Sequence, residues 1–410
     1  MQVIFMSSNT PAGSSNRNVK VAAAGAVAGA AFSVWLNRRN RNNPNTVTVD
    51  GVIDWTRARE TATRMNKGDA LTANERERLN AYYFDLVEKC VPIVSEYTGT
   101  SLPNGAPKTF AFDRVDWINA NLESFQRMFK AIDELNAKKT LSGFSRIWHG
   151  LNQKVLSYQI GVVLGYMGRR VLGQYDLALL GREQVTETGK LYYVEPNIRG
   201  IETKLGLPRE DFRMWLALHE TTHAFEFEGH PWVRDHFNGL LDRYMNFVNE
   251  DAEQLKQGLK GLKVFAERVR NRDSGGNGWI EAFMNKDQRA LFNEMQAMMC
   301  VVEGYSNHVM NAVGKTLLPT YDVIARKFEE RQAQRTQAEQ LFAKLTGLDV
   351  KMEQYRAGER FIDAIVAARG QDAARLVWHA AEFLPNMKEI RDPNLWLERT
   401  ANVTPTAQLA

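Results

Sequence analysis

Cysteine is nearly absent: Cys90 and Cys300 are the only two in 410 residues, and neither has a neighbour at CxxC spacing. That excludes a disulfide scaffold, and both read as reduced core residues. An apolar run long enough to cross a bilayer is missing as well. The uncharged stretch from Val21 to Leu36 would span about 24 Å as a helix, short of the roughly 30 Å hydrocarbon core. Acidic residues are missing from the first 45 positions, which hold Arg17, Lys20, Arg38, Arg39 and Arg41. Without those five charges the net +4 of the chain becomes about −1 for residues 46–410, so the body carries no basic footprint for nucleic acid. Residues 21–36 are open to three readings: a membrane anchor, a surface-lying tail or a cleaved signal. If the stretch inserts, three basic residues after it against two before place the body on the cytoplasmic side, and membrane contact is expected through this stretch alone. Residues 40–45 read as a polar linker.

What the chain has in quantity is helical periodicity. A hydrophobic content of 44% with 24% charged residues suits an ordinary folded core. Apolar residues recur at three- and four-residue spacing over 54–66, 72–97, 115–137, 143–172, 209–228, 233–272, 288–312, 321–346, 351–369 and 371–384. Gly370 is placed to cap the helix before it. The run 326–340 alternates charge sign, as a solvated helix face does. Two strands, Tyr175–Leu180 and Lys190–Val194, predict a small β-hairpin, and Ser274–Gly278 predicts a loop that acts as lid or connector. The expected division is a tail over 1–50, a single helical domain over 51–400 and a disordered end over 401–410. No internal repeat is visible.

Chemistry is concentrated at His219-Glu220-Thr221-Thr222-His223, an HExxH motif. On a helix, positions four apart share a face one turn apart, so both imidazoles can reach one Zn²⁺ at about 2.0–2.1 Å. Glu220 follows the first ligand and suits a general base acting on water at the metal. The lead-in from Asp211 to Leu218 has neither Gly nor Pro, and Gly229-His230-Pro231 closes the helix. A catalytic zinc takes three protein ligands and leaves one position open. A histidine six residues after His223 would complete a metzincin site, but Gly229 stands there. His230 would lie about 16 Å along the axis from His219, too far to share an ion. Glu226 and Glu228 read as solvated or salt-bridged helix charges.

The third ligand is expected on a second helix. Residues 293–310 are apolar nearly all round, which marks a buried helix, and an isolated carboxylate there is costly unless paired or bound to metal. Glu303 is that carboxylate. Asn307, one turn on, is expected to accept a hydrogen bond from a ligand imidazole and fix its tautomer. His308 is rotated off the Glu303 face and reads as a packed or capping residue. Tyr193, Tyr305, His230 and His308 are the candidates for stabilising a developing oxyanion.

Together these residues resemble a bacterial family of zincin-like hydrolases, described either as zinc-dependent metalloproteases or as proteins associated with biosynthesis of the deazaflavin coenzyme. The likeness runs from about Asp54-Trp55 to Arg399. Its landmarks are Val115-Asp116-Trp117 with Asn121-Leu122, Val171 to Asp176, Glu195-Pro196-Asn197-Ile198, Trp215 with the HExxH motif, and Pro231-Trp232-Val233-Arg234. Further on come Glu303-Gly304, Gln354-Tyr355 with Gly358 and Phe361, and Pro393 with Trp396 and Arg399. The resemblance implies a mainly helical, gluzincin-type core with the hairpin beside the HExxH helix. It also implies one Zn²⁺ per chain on His219, His223 and Glu303, with Glu220 as base. Where the family pattern would read Glu-Gly-His-Ala-Asp, this chain has Glu303-Gly304-Tyr305-Ser306-Asn307. The expected reaction is hydrolysis of an amide bond, in a peptide or in a small metabolite of coenzyme metabolism; the non-catalytic alternative is a zinc-stabilised protein.

Overall fold

The computed structural model of the chain describes residues 53–137, 143–175, 189–256, 285–333 and 348–403. Residues 21–36 and the 274–278 loop lie outside them. Among the described residues no helix is long and apolar enough to cross a membrane. The periodic segments form helices α1 (Trp55–Arg64), α2 (Ala73–Thr98), α3 (Arg114–Ala137), α4 (Gly143–Gly168), α6 (Arg209–Glu228), α7 (Pro231–Lys256), α8 (Lys286–Leu317), α9 (Tyr321–Ala333), α10 (Leu348–Arg369) and α11 (Gln371–Val377). Three helices were not anticipated: α5 (Glu195–Leu205), α12 (Met387–Arg391) and α13 (Pro393–Arg399). Two of them begin with a proline in the first turn, and α12 and α13 have only 5 and 7 residues. Gly370 stops α10 in the left-handed region, at φ 74°, and its N–H bonds Val366 O at 2.8 Å.

The protein is mainly helical, and among the described residues one small sheet has the order β1-β3-β2, where β1 is Lys108–Phe112, β2 Gly173–Tyr175 and β3 Lys190–Val194. Strands β2 and β3 are antiparallel, with Gly173 opposite Tyr193 and Tyr175 opposite Leu191. The first strand of the expected hairpin is thus already formed at Gly173, two residues earlier than expected; 176–180 lie outside the described residues. Strand β1 pairs with β3 in parallel, from Lys108↔Lys190 to Phe112↔Val194, through a crossover over α3 and α4.

The main apolar core gathers around α6 and α8, and a smaller cluster joins α1, α3 and α4 around Trp117, Ile118, Leu122 and Leu164. Helices α8 and α10 cross with their backbones touching: a Cβ at Gly358 would overlap the Cys300 carbonyl, and one at Gly304 the backbone of Gly358 and Glu359. Buried polar groups tie the layers together. Trp117 Nε1 donates to Gln174 Oε1 at 2.6 Å, joining α3 to β2. Asn197 Nδ2 donates to Gly168 O and Val171 O at 2.9 and 2.7 Å, joining α5 to the end of α4. Arg213 of α6 is fully buried between Glu195 and Glu202 of α5, 2.9 Å from the former, and Tyr83 donates to Glu195 at 2.6 Å. The Arg213 and Tyr83 contacts fix α6 against α5 and α2, and so place the HExxH motif.

Candidate metal centre

Helix α6 opens after Pro208 with Glu210 and Asp211 in its first turn, where carboxylates complement the exposed amides. From Trp215 to Glu226 every side chain is buried, so the helix is packed on all sides. Phe212 and Trp215 anchor its first half on Phe328, at centroid distances of 5.7 and 4.8 Å. One turn further the four-residue spacing sets His219 and His223 on one face. Their rings stand 5.0 Å apart and nearly perpendicular, at 88°. Helix α8 brings Glu303 against them. One ligand atom from each of His219, His223 and Glu303 lies within 4.8 Å of the other two, close enough for one cation to touch all three.

Solvent hardly reaches these groups: His219, Glu220, His223 and Glu303 are 1%, 0%, 2% and 3% exposed. Burial pushes the His219 imidazole down to about 3. Burial, joined by the charge of His219, holds His223 well below its ordinary value. Both rings are therefore neutral near pH 7, the form that binds a metal. Burial, and then the neighbouring Glu303, push the Glu220 carboxyl well up. Both ring nitrogens of His219 and both oxygens of Glu220 are buried without a hydrogen-bond partner. Each such atom costs about 1–3 kcal/mol. Two neutral imidazoles and a carboxylate, beside orphaned polar atoms and further buried acids, form a donor set that fits a divalent cation.

The surroundings of His223 differ from the expectation. Its Nδ1 lies 2.6 Å from Glu226 Oε2 and 3.0 Å from Ser306 Oγ, and Ser306 Oγ donates to Glu226 Oε1 at 2.8 Å. Glu226 is thus not solvated; its partner on its own helix is the His223 imidazole, three residues before it, over which it turns back. Burial pushes its carboxyl up, and the Ser306 hydrogen bond opposes that. Glu228 clamps the sheet instead, accepting from Tyr175 Oη at 3.0 Å and from the Gly189 amide at 3.1 Å. Asn307 is half-buried and bonds neither imidazole: Ser306 and Glu226 occupy the place assigned to it. Sequence reasoning missed both; Glu226 could have been found from its i,i+3 spacing to His223 inside an apolar stretch.

Of the four oxyanion candidates, two are committed elsewhere. His308 bonds Tyr97 through Nε2 at 2.8 Å and Asp363 through Nδ1 at 2.6 Å. His230 lies after the end of α6, with Nε2 3.4 Å from Thr100 Oγ1 and its ring on Trp378 at 5.7 Å. Tyr305 packs edge-on against Trp378 at 5.1 Å. Tyr193 is the one beside the motif. Its hydroxyl is buried without a partner, its ring stacks on Tyr83 at 4.0 Å, and burial together with the Glu220 charge pushes its pKa well up. Across the sheet, Gly173 leaves the space Glu220 fills, since a Cβ there would overlap the carboxylate.

A buried HExxH helix with a glutamate from a second helix at its metal face, under a small sheet, defines a zincin-type metal site. The chain belongs to the zincin-like metallopeptidase family, whose model matches residues 53–397. It is also similar to a crystal structure from Chloroflexus aurantiacus described as "a putative hydrolase with a novel fold". The identity is 39% and the TM-score 0.63, over 86% of this chain and all of that one. No curated protein sequence matches.

Proposed function

We propose that the protein is a zinc-dependent hydrolase of amide bonds acting as a metallopeptidase, with His219, His223 and Glu303 holding the ion. The observation that carries this is the convergence of those three buried side chains beside a glutamate whose two oxygens have no other partner. Zinc there would supply a Lewis acid that lowers the pKa of water and polarises the substrate carbonyl. Glu220 takes the proton of the attacking water and passes it to the leaving amine. Tyr193, whose buried hydroxyl has no hydrogen-bond partner and feels the Glu220 charge, donates to the developing oxyanion. Among the described residues strand β2 is an edge of the sheet beside Glu220, and an extended peptide can add to such an edge by backbone hydrogen bonds.

A second reading, a small amide metabolite as substrate, is favoured by one feature. The nitrogens of His219 and the oxygens of Glu220 are all shut off from solvent, as in a closed pocket rather than an open groove. One experiment tests both. Metal analysis of the purified chain should find about one zinc, and a quenched-peptide library and a panel of small amides are then digested in parallel. Glu220→Gln should keep the zinc and lose at least about 100-fold in turnover, as for loss of a general base. A chain without zinc, or a Glu220→Gln variant with full turnover, sinks the proposal; cleavage confined to the small amides selects the second reading.

A further inference from the structure

We infer that Glu226, together with Ser306, is the positioning residue of the metal centre: it holds His223 with its proton on Nδ1 and so aims Nε2 at the ion. This rests on the metal-centre reading above. Glu226 follows His223 by three residues on α6, so its carboxylate lies over the ring on the same helix face. Oε2 is 2.6 Å from Nδ1, Oε1 accepts from Ser306 Oγ at 2.8 Å, and that hydroxyl oxygen is itself 3.0 Å from Nδ1. A hydroxyl has one proton, and here it goes to Oε1; its oxygen can then only accept. Nδ1 consequently faces two acceptors and is the nitrogen that carries the proton. The lone pair is left on Nε2, which is what a metal requires.

Glu226 is not placed as a ligand. The atoms able to share one cation come from His219, His223 and Glu303; Glu226 is not among them and meets His223 at Nδ1. A carboxylate 1% exposed needs a compensating partner, and an imidazole N–H polarised through its ring by a bound cation is a strong one. The arrangement also latches two helices. Ser306 lies one turn beyond Glu303, so the contact that orients His223 fixes α8 against α6 next to the third ligand. The two imidazoles are held differently, because neither nitrogen of His219 has a hydrogen bond.

The test uses the full chain loaded with Zn²⁺, titrated against a chromophoric chelator, and a Co²⁺-loaded sample read by its visible absorption. Glu226→Gln keeps the side chain's size and removes the charge. It should weaken Zn²⁺ binding about 10–100-fold and alter the Co²⁺ spectrum, while far-UV circular dichroism stays unchanged. Ser306→Ala should shift both readouts the same way by less, and it decides alone if Glu226→Gln does not fold. Wild-type affinity and spectrum in the folded variants overturn the inference and leave the metal centre standing. A wild-type chain that binds no zinc overturns the metal centre, and this inference with it.

Discussion

Adding one methyl group at Gly173 asks whether Glu220 is held in place by the empty space opposite it. Gly173 faces Tyr193 across the β2–β3 pair, and a Cβ there would lie 2.6 Å from Cδ and 2.8 Å from Cγ of Glu220. Carbon atoms in contact rest about 3.5–4.0 Å apart, so the carboxylate must retreat by roughly 1 Å. The strand cannot yield instead, because it is paired to β3 and its Gln174 holds the buried Trp117 indole at 2.6 Å. A displacement of about 1 Å in a reacting group costs about 100-fold in rate, and overpacking costs about 1–3 kcal/mol of stability. Gly173→Ala should therefore bind zinc fully, unfold a few degrees lower and lose about 100-fold in kcat, with KM nearly unchanged. The assays are metal analysis, thermal unfolding, and turnover of the best substrate from the library. A folded, zinc-loaded Gly173→Ala enzyme with wild-type kcat would refute the placement of Glu220 as base against β2.

Further outcomes follow from the same geometry. Glu303→Gln replaces an anionic donor by a neutral amide and should weaken zinc binding in a chelator titration; unchanged affinity would remove Glu303 from the ligand set. Tyr193→Phe deletes a buried, unpartnered hydroxyl, so denaturant stability should hold or rise slightly while kcat falls about 100-fold. Unchanged kcat there would end its role as oxyanion donor. Arg213→Met leaves Glu195 and Glu202 without their buried cation and should cost about 3–5 kcal/mol in denaturant unfolding. An equally stable variant would show that this network does not anchor α6.

Which parts of this protein are legible in its sequence follows from how local each one is. The HExxH face depends on spacing within a single helix, and Glu303 stands out because an acid in an apolar helix needs a reason. The boundaries of α6 also follow from local signals, Pro208 before it and Gly229 after it. Strand β1 does not: it has five residues, and its partner lies some eighty positions away across two helices. The Ser306 contact is likewise tertiary, since only the α6–α8 crossing brings it to His223. Asn307 was assigned a role by pattern, but the rotation of α8 gives its neighbour that place. Landmarks such as Trp117, Gln174 and Asn197 are conspicuous as motifs, yet their work is structural: each hydrogen-bonds a buried group that fixes a strand or helix end.

The precision of the site owes much to side chains that are missing. Glu220 leans against Gly173, so its carboxylate is located by backbone rather than by a hydrogen bond, which leaves both oxygens open to the proton-accepting role proposed for it. Glu303 precedes Gly304, which lies on the backbone of Gly358 in α10. That crossing sets the height of α8 over α6, and with it the distance from Glu303 to both imidazoles. Helix α10 supplies none of the atoms in the candidate ligand cluster, but a side chain at Gly358 would collide with the Cys300 carbonyl, one turn before Glu303. Of the two imidazoles, only His223 is held through a polar contact, from Glu226 and Ser306. The geometry of the centre is thus coupled to helix packing on one side and to a single hydrogen-bonded cluster on the other. Perturbing α10 should move Glu303 relative to both imidazoles together, whereas perturbing Glu226 should turn one ring.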